Sequence, residues 1–202
     1  MSSLIDALGS VAALLAEADR PWALVGALAV SARTEPRFTR DIDIAIAVAD
    51  DADAESVVRY FAQRGYAVFS AVEQDATKRL ATARLTGPAG TAGTSLASGE
   101  APVIVDLLFA SSGIEPEIAR AAEWLTIVPG VEMPVARSGH LFALKVLSRS
   151  DARPQDAADI LALLHVLDGP ERARAFDAVR LIAERGFARG KDLIGELVTL
   201  IG

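Results

Sequence analysis

Apolar and polar residues change their spacing repeatedly along the first part of this chain of 202 residues. Apolar residues three and four positions apart are typical of an amphipathic helix, and short apolar or alternating runs are typical of strands. The helical spacing is found over residues 3–18 and 51–64, and the strand patterns over residues 22–25, 66–69 and 79–85. This alternation of helices and strands predicts an α/β (α+β) domain.

The pattern becomes helical after residue 133 and stays so to the end of the chain. Pro129, Gly130 and Pro134 interrupt the strand pattern and indicate a boundary. We therefore expect one α/β unit over residues 1–133 and a helical part over residues 134–202. The predicted helices of this second part are 138–147, one that starts just before Asp156, 171–185 and 191–201.

One predicted strand carries two carboxylates on the same side. Ile42, Ile44 and Ile46 alternate with other residues and share one face, so Asp41 and Asp43 share the opposite face. Two carboxylates this close repel each other, and a cation between them removes the repulsion. Mg²⁺ suits the position because it takes oxygen ligands from one or two carboxylates and from substrate phosphates. The alternative is the solvated edge of a half-buried strand, which Asp-x-Asp alone favours.

Features with affinity for anions precede this strand. Gly26 lies where a short strand turns into a helix, and backbone N–H groups at such a turn approach an anion closely. Arg33, Arg37 and Arg40 follow within a chain that is acidic overall. Their position between the turn and the carboxylates is suited to phosphate binding, although a solvated basic loop is the simpler alternative.

A third carboxylate interrupts the apolar run of residues 103–109. A buried Asp106 without a partner is costly, so it requires a backbone donor, an arginine or a metal ion. The preceding segment, residues 87–102, is rich in Gly, Ser and Thr and lacks the Gly-Lys-Ser/Thr signature of a P-loop. We predict a mobile hairpin connection there, with a lid over the site as the alternative.

Composition narrows the class of protein. Apolar residues make up 51% of the chain and its formal charge is −7, as in an ordinary globular protein. The absence of Cys excludes disulfides, thiolate zinc sites and a thiol nucleophile. The longest apolar run, residues 22–32, is too short to span a bilayer, and no basic segment precedes the first apolar residues as in a signal peptide. We expect a cytoplasmic protein without a membrane partner.

The motif Trp22-Ala-Leu-Val-Gly26-Ala-Leu-Ala-Val, followed by Arg37-Phe-Thr-Arg-Asp-Ile-Asp-Ile, resembles the opening motif of polymerase-β-like nucleotidyltransferases. It is most similar to that of the AbiEii/AbiGii toxin family of type IV toxin–antitoxin systems. That family has a Gly-Gly or Gly-Ser turn, a basic Arg/Thr loop and an Asp-x-Asp strand. This chain has Ala27 at the second turn position, which offers no hydroxyl to a phosphate or a metal-bound water.

The resemblance implies a nucleotidyltransferase-fold mixed sheet with flanking helices and a helical C-terminal part. Asp106 matches the third carboxylate of such enzymes, which lies on a later strand beside the Asp-x-Asp pair. The segment from Lys145 through Arg149, Arg153 and Asp156 to Asp159 is similar to the family's Lys…Arg…Asp…Asp segment, in which the lysine faces the site. We expect Lys145 and the arginine segment to line one cleft from opposite sides.

The activity implied is transfer of a nucleoside monophosphate from an NTP to an RNA, such as a tRNA 3′ end, or to a protein hydroxyl. A cognate antitoxin is the implied protein partner. Two alternatives remain open, namely a non-catalytic nucleotide- or partner-binding module and a nucleotidyltransferase that modifies small molecules such as antibiotics. The implied catalytic residues are Asp41, Asp43, Asp106 and Lys145, the three aspartates also being ligands of a two-metal Mg²⁺ site, and the implied substrate-binding residues are Gly26, Ala27, Arg37, Thr39, Arg40 and Asp156.

Overall fold

The computed structural model describes residues 2–37, 39–74, 77–88 and 103–202. Most of the predicted hairpin connection lies outside the described residues. The strands of the described part are β1 (Trp22–Val25), β2 (Asp41–Ile46), β3 (Ala67–Glu73), β4 (Leu80–Thr86), β5 (Ile104–Leu108), β6 (Glu123–Val128) and β7 (Val131–Val135). The helices are α1 (Ser2–Glu17), α2 (Gly26–Arg33), α3 (Asp51–Ala62), α4 (Glu115–Arg120), α5 (Ser138–Ser148), α6 (Pro154–Leu164), α7 (Gly169–Glu184) and α8 (Leu193–Ile201).

The strands form one mixed sheet in the order β3-β4-β5-β2-β1-β7-β6. Strand β2 lies at the centre, parallel to β5 and antiparallel to β1. The other pairs are antiparallel except β1 with β7. The predicted α/β class, with a mixed sheet and flanking helices, is therefore confirmed.

The two faces of β2 differ as its alternation predicts. Ile42, Ile44 and Ile46 are fully buried, whereas Asp41 is exposed and Asp43 is partly buried on the opposite face. The apolar face holds the strand in the core, and the burial of three isoleucines fixes its register. A shift of β2 by one residue would bury the aspartates instead.

Strand β7 continues the sheet past residue 133, where the sequence analysis places the end of the α/β unit. It runs to Val135 and contains Pro134, which lies opposite Trp124 of the edge strand β6. Pairing of β7 with β1 is confined to Val135 and Leu24. A proline near the end of a strand and beside the sheet edge removes few ladder hydrogen bonds, so it is tolerated here. The expected boundary at residue 134 therefore falls inside a strand.

The C-terminal helices pack against the sheet through α2. Helix α5 contacts α6, α7 and α8, and α2 contacts both α5 and α6. One continuous cluster of buried apolar residues includes Leu24 and Ile44 of the sheet and Phe142 and Val146 of α5. No helix in the described ranges has the length and apolar character needed to cross a membrane.

Arg33 has a structural role that the sequence does not indicate. Its side chain is only 12% exposed, and its guanidinium donates hydrogen bonds to the backbone oxygens of Val135 and Ala136. It also forms an ion pair with Glu123 at 3.0 Å. The sequence analysis places Arg33 with Arg37 in a segment suited to phosphate binding. In the structure, Arg33 instead connects the end of α2 to the end of β7 through hydrogen bonds.

We expect Arg33→Met to lower the free energy of unfolding by about 2–4 kcal/mol, because two partly buried carbonyl groups lose a charged donor. Urea unfolding measures the loss. The matched control is Arg59→Met, since Arg59 is 62% exposed and, among the described residues, forms an ion pair only with Glu55 one helical turn away. That change should cost less than about 0.5 kcal/mol. Equal losses for the two variants would contradict the anchoring role.

Candidate active site

The register of the sheet places charged residues side by side across three strands. Asp43 of β2 lies opposite Asp106 of β5, and Asp106 lies opposite Arg84 of β4. On the other side Asp43 faces Val25, the last residue of β1. Paired residues of neighbouring strands project to the same face, and Asp41, two positions before Asp43, shares it.

These residues open onto a cleft of about 370 Å³. Its walls come from the sheet, from the start of α2 and from α5 and α6. Arg40 is not among its lining residues. The other predicted site residues line it: Gly26, Ala27, Arg37, Thr39, Asp41, Asp43, Asp106, Lys145 and Asp156.

Gly26 is required by its close approach to Asp43. Its φ of +65° lies in the left-handed region, and a Cβ atom built on it would lie 1.9 Å from Oδ2 of Asp43. The turn thereby places the start of α2 against the carboxylate. The backbone N–H groups at the start of a helix favour negative charge, which a carboxylate or a phosphate supplies.

Asp43 is the electrostatically strained member of the row. Burial, followed by repulsion from Asp106 and Asp41, raises the pKa of Asp43 to about 7. The opposing charge of Lys145 is too weak to cancel these effects. The residue keeps some surface in the cleft, so a cation entering there would relieve the repulsion.

Asp106 is held by an arginine. Arg84 donates from Nε at 2.8 Å to one carboxylate oxygen and from Nη2 at 2.7 Å to the other. The Asp106 side chain is 9% exposed. Of the partners that the sequence left open for this buried carboxylate, the structure shows the arginine. Arg84 was not identified from the sequence, because its role depends on the pairing of β4 with β5, which local spacing does not reveal.

The carboxylates fit a divalent cation only in part. Asp41 and Asp43 offer oxygen ligands on one face, and Mg²⁺ is commonly bound by one or two carboxylates together with substrate phosphates. Within the described residues, no group of three or more Asp, Glu or His side chains is arranged to hold a metal ion. Asp106 is beside the pair, but both of its oxygens accept hydrogen bonds from Arg84.

Lys145 is buried between two carboxylates. Its Nζ lies 2.9 Å from Asp156 and 2.8 Å from Asp159. Arg37 binds the same Asp159 through two hydrogen bonds of 2.8 Å. Lys145 and Arg37 both line the cleft, but they meet on one carboxylate instead of lying on opposite sides, which differs from the expectation.

The oxygens of Asp156 are also occupied. Besides Lys145, it binds Arg153 at 2.9 Å and accepts a hydrogen bond of 3.0 Å from Ser148. Burial alone would raise the pKa of Asp156, but the hydrogen bond and charge of Lys145 outweigh it and leave the pKa below its usual value. In this arrangement Asp156 orients the positively charged side chains of Lys145 and Arg153. Direct substrate binding by Asp156 stays a prediction.

A second arginine of the cleft was also not identified from the sequence. Arg189, in the loop between α7 and α8, donates a hydrogen bond of 3.0 Å to the backbone oxygen of Ser111. Burial and the nearby charge of Arg153 lower the pKa of Arg189. No periodic pattern marks this loop, so the sequence carries no signal for its position.

Comparison with known proteins identifies a family. The model of the family described as nucleotidyl transferase AbiEii toxin, type IV TA system, matches residues 11–199. No curated protein matches the sequence.

Several solved structures are similar. The antigenic nucleotidyltransferase-like protein from Paracoccidioides brasiliensis is 16% identical, with a TM-score of 0.51 over 98% of this chain and 92% of that one. JHP933 from Helicobacter pylori is 14% identical, with a TM-score of 0.45 over 98% and 88% of the two chains. The lincomycin-bound lincosamide antibiotic adenylyltransferase LnuA is 14% identical, with a TM-score of 0.44 over 78% and 94%. The likeness to the Paracoccidioides protein, with its TM-score of 0.51, supports a similarity of fold alone.

We expect Gly26→Ala to destabilise the protein more than Gly130→Ala. Both glycines have positive φ, but nothing lies within 4 Å of a Cβ added at Gly130. The control should cost about 1 kcal/mol for backbone strain alone, whereas Gly26→Ala should cost about 2–4 kcal/mol because of the overlap with Asp43. Urea unfolding compares them, and equal losses would show that the close approach is unimportant.

The burial of Lys145 changes the expected result of removing it. We expect Lys145→Ala to lower the free energy of unfolding by about 2–4 kcal/mol, because Asp156 and Asp159 lose a shared buried partner. A surface lysine at this position would instead leave stability unchanged. The loss should be smaller in an Asp159→Asn background, and a double-mutant cycle measures that coupling. Strictly additive effects would contradict it.

Proposed function

Because the chain belongs to the AbiEii family of nucleotidyl transferase toxins, we propose that it transfers a nucleoside monophosphate from an NTP to a hydroxyl acceptor in a metal-dependent reaction. The family match confirms the resemblance predicted from the Gly26 turn and the Asp41–Asp43 strand. Nucleotidyltransferase is accordingly the class of this protein, and its metal, acceptor and biological role are the proposal.

One observation supports the proposal most directly. The Asp41–Asp43 pair lies against the Gly26 turn in one cleft, so ligands for a cation and backbone donors for an anion are adjacent. An NTP with Mg²⁺ presents this combination of charges. In the proposal Asp41 and Asp43 would hold the metal ion, which would supply positive charge to the triphosphate. The N–H groups of Gly26 and Ala27 face the phosphates.

The proposed reaction is an in-line displacement at the α-phosphorus. The acceptor hydroxyl oxygen forms a bond to this phosphorus, the bond from phosphorus to the bridging oxygen breaks, and pyrophosphate leaves. The hydroxyl proton is released to solvent. Arg37 and Lys145 contribute positive charge near the triphosphate, and their shared partner Asp159 holds them in place.

An RNA such as a tRNA 3′ end is the acceptor that the charges favour, with a protein hydroxyl as the other candidate. The chain carries a net charge of −7, yet Arg153 and Arg189 bring positive charge to the cleft wall. A polyanionic acceptor needs such a local patch. The proposed setting is the cytoplasm, where NTPs and tRNA are available, with a cognate antitoxin that restrains the activity.

A binding module without catalysis is the second candidate. Ala27 lines the cleft at the turn position where the family has Gly or Ser. An alanine there retains the backbone N–H but provides no hydroxyl. NTP binding without transfer would favour this candidate.

We expect Asp43→Asn to reduce nucleotide transfer by about 10³-fold or more, because a metal ligand is lost where charge develops. The measurement incubates the protein with each labelled NTP, Mg²⁺ and total RNA or cell extract. At pH 8 without metal the variant should melt at an equal or higher temperature than the parent. The pKa of Asp43 is raised in the folded protein, so the loss of stability caused by this group develops between about pH 4 and about pH 7 and is complete above that range.

Mg²⁺ should raise the melting temperature of the parent but not of Asp43→Asn. The matched control is Asp177→Asn, since Asp177 is 63% exposed and its one ion pair within the part of the chain that the structure describes is with Arg180 on α7. It should behave as the parent in both assays. A parent that binds NTP with Mg²⁺ yet labels no acceptor would support the binding module, and full transfer by Asp43→Asn would reject the proposed site.

A further inference from the structure

The Arg84–Asp106 pair is built into the rigid part of the fold. The two residues are direct cross-strand partners on β4 and β5, and the guanidinium engages both carboxylate oxygens at 2.8 and 2.7 Å. Parallel bonds of this kind are strong and fix the geometry of both groups. These bonds occupy one lone pair on each oxygen of Asp106, so a metal ion chelated by both oxygens would compete with Arg84.

Arg84 also faces the other two carboxylates. Its pKa is raised above its usual range first by the hydrogen bond with Asp106 and then by the charges of Asp106, Asp41 and Asp43. Its side chain is 45% exposed and lines the cleft. A single guanidinium thus supplies positive charge beside all three aspartates, where a second metal ion would otherwise lie.

We propose that the Arg84 guanidinium replaces the second metal ion, so that the cleft binds one divalent cation through Asp41 and Asp43 and uses Asp106 to anchor Arg84. This inference rests on the proposed function and departs from the two-metal site that the family resemblance implies. Arg84 is then a positioning and charge-stabilising residue, with a fixed cation facing the phosphates of a bound NTP.

The number of bound metal ions tests this inference without any measurement of transfer. Mn²⁺ is titrated into the full chain in the presence of each of the four α,β-methylene NTPs in turn, and the free ion is measured by electron paramagnetic resonance. The parent should bind one Mn²⁺ per chain. Arg84→Gln should bind two, because Asp106 becomes available. Arg84→Gln combined with Asp106→Asn should bind one again.

Arg79→Gln is the matched control. Arg79 directly precedes β4 and pairs with Asp51 at 3.3 Å, and it does not line the cleft. This variant should bind one Mn²⁺ as the parent does. Thermal melting verifies that each variant is folded, and the count for the parent needs no variant at all.

Two Mn²⁺ ions in the parent would overturn the inference while leaving the proposed function intact. One ion in folded Arg84→Gln would also overturn it, since Asp106 would then be unable to hold a metal even when freed. Two ions in the double variant would show that the gained site does not use Asp106. A parent that binds no Mn²⁺ with any of the NTPs would instead reject the metal-dependent function itself.

Discussion

Repulsion among three carboxylates on one face of the central sheet is the constraint on which the site depends. Asp41, Asp43 and Asp106 are brought together by the pairing of β2 with β5, and the isoleucines beneath them prevent any other register. Burial first, and this repulsion second, raises the pKa of Asp43. Arg84, Lys145 and Arg153 offset part of this negative charge.

The compensation comes from elements that are distant in sequence, which explains what the sequence could and could not predict. The spacing of Ile42 and Ile44 is local, so the strand and its two aspartates were predictable, as was the class of the fold. The contact of Arg84 with Asp106 depends on strand pairing between separate segments. The structural role of Arg33 could not be predicted for the same reason, because the two backbone oxygens that it binds lie more than a hundred residues away, in β7 and just beyond it. The boundary expected at Pro134 lies inside β7. A proline suggests the end of a strand unless the position of that strand in the sheet is known.

The helical part contributes to the site through a shared network of charges. Lys145 on α5 and Arg37 before β2 both bind Asp159 on α6, and Lys145 also binds Asp156. Each carboxylate therefore fixes two cations from different elements. Such a network couples the position of the helices to the positive charge at the cleft wall, so the packing of α5 and α6 depends on the charge of Lys145.

This pairing limits the charge that the protein itself offers to an NTP. Arg84, Lys145, Arg37 and Arg153 each have a carboxylate partner, so part of their positive charge is offset before a substrate arrives. Arg189 instead donates a hydrogen bond to the backbone oxygen of Ser111, and this uncharged partner offsets less of the positive charge than a carboxylate would. A triphosphate entering the cleft would meet the uncompensated carboxylates Asp41 and Asp43, which repel it. In the proposed function the triphosphate would therefore enter the cleft together with its own cation.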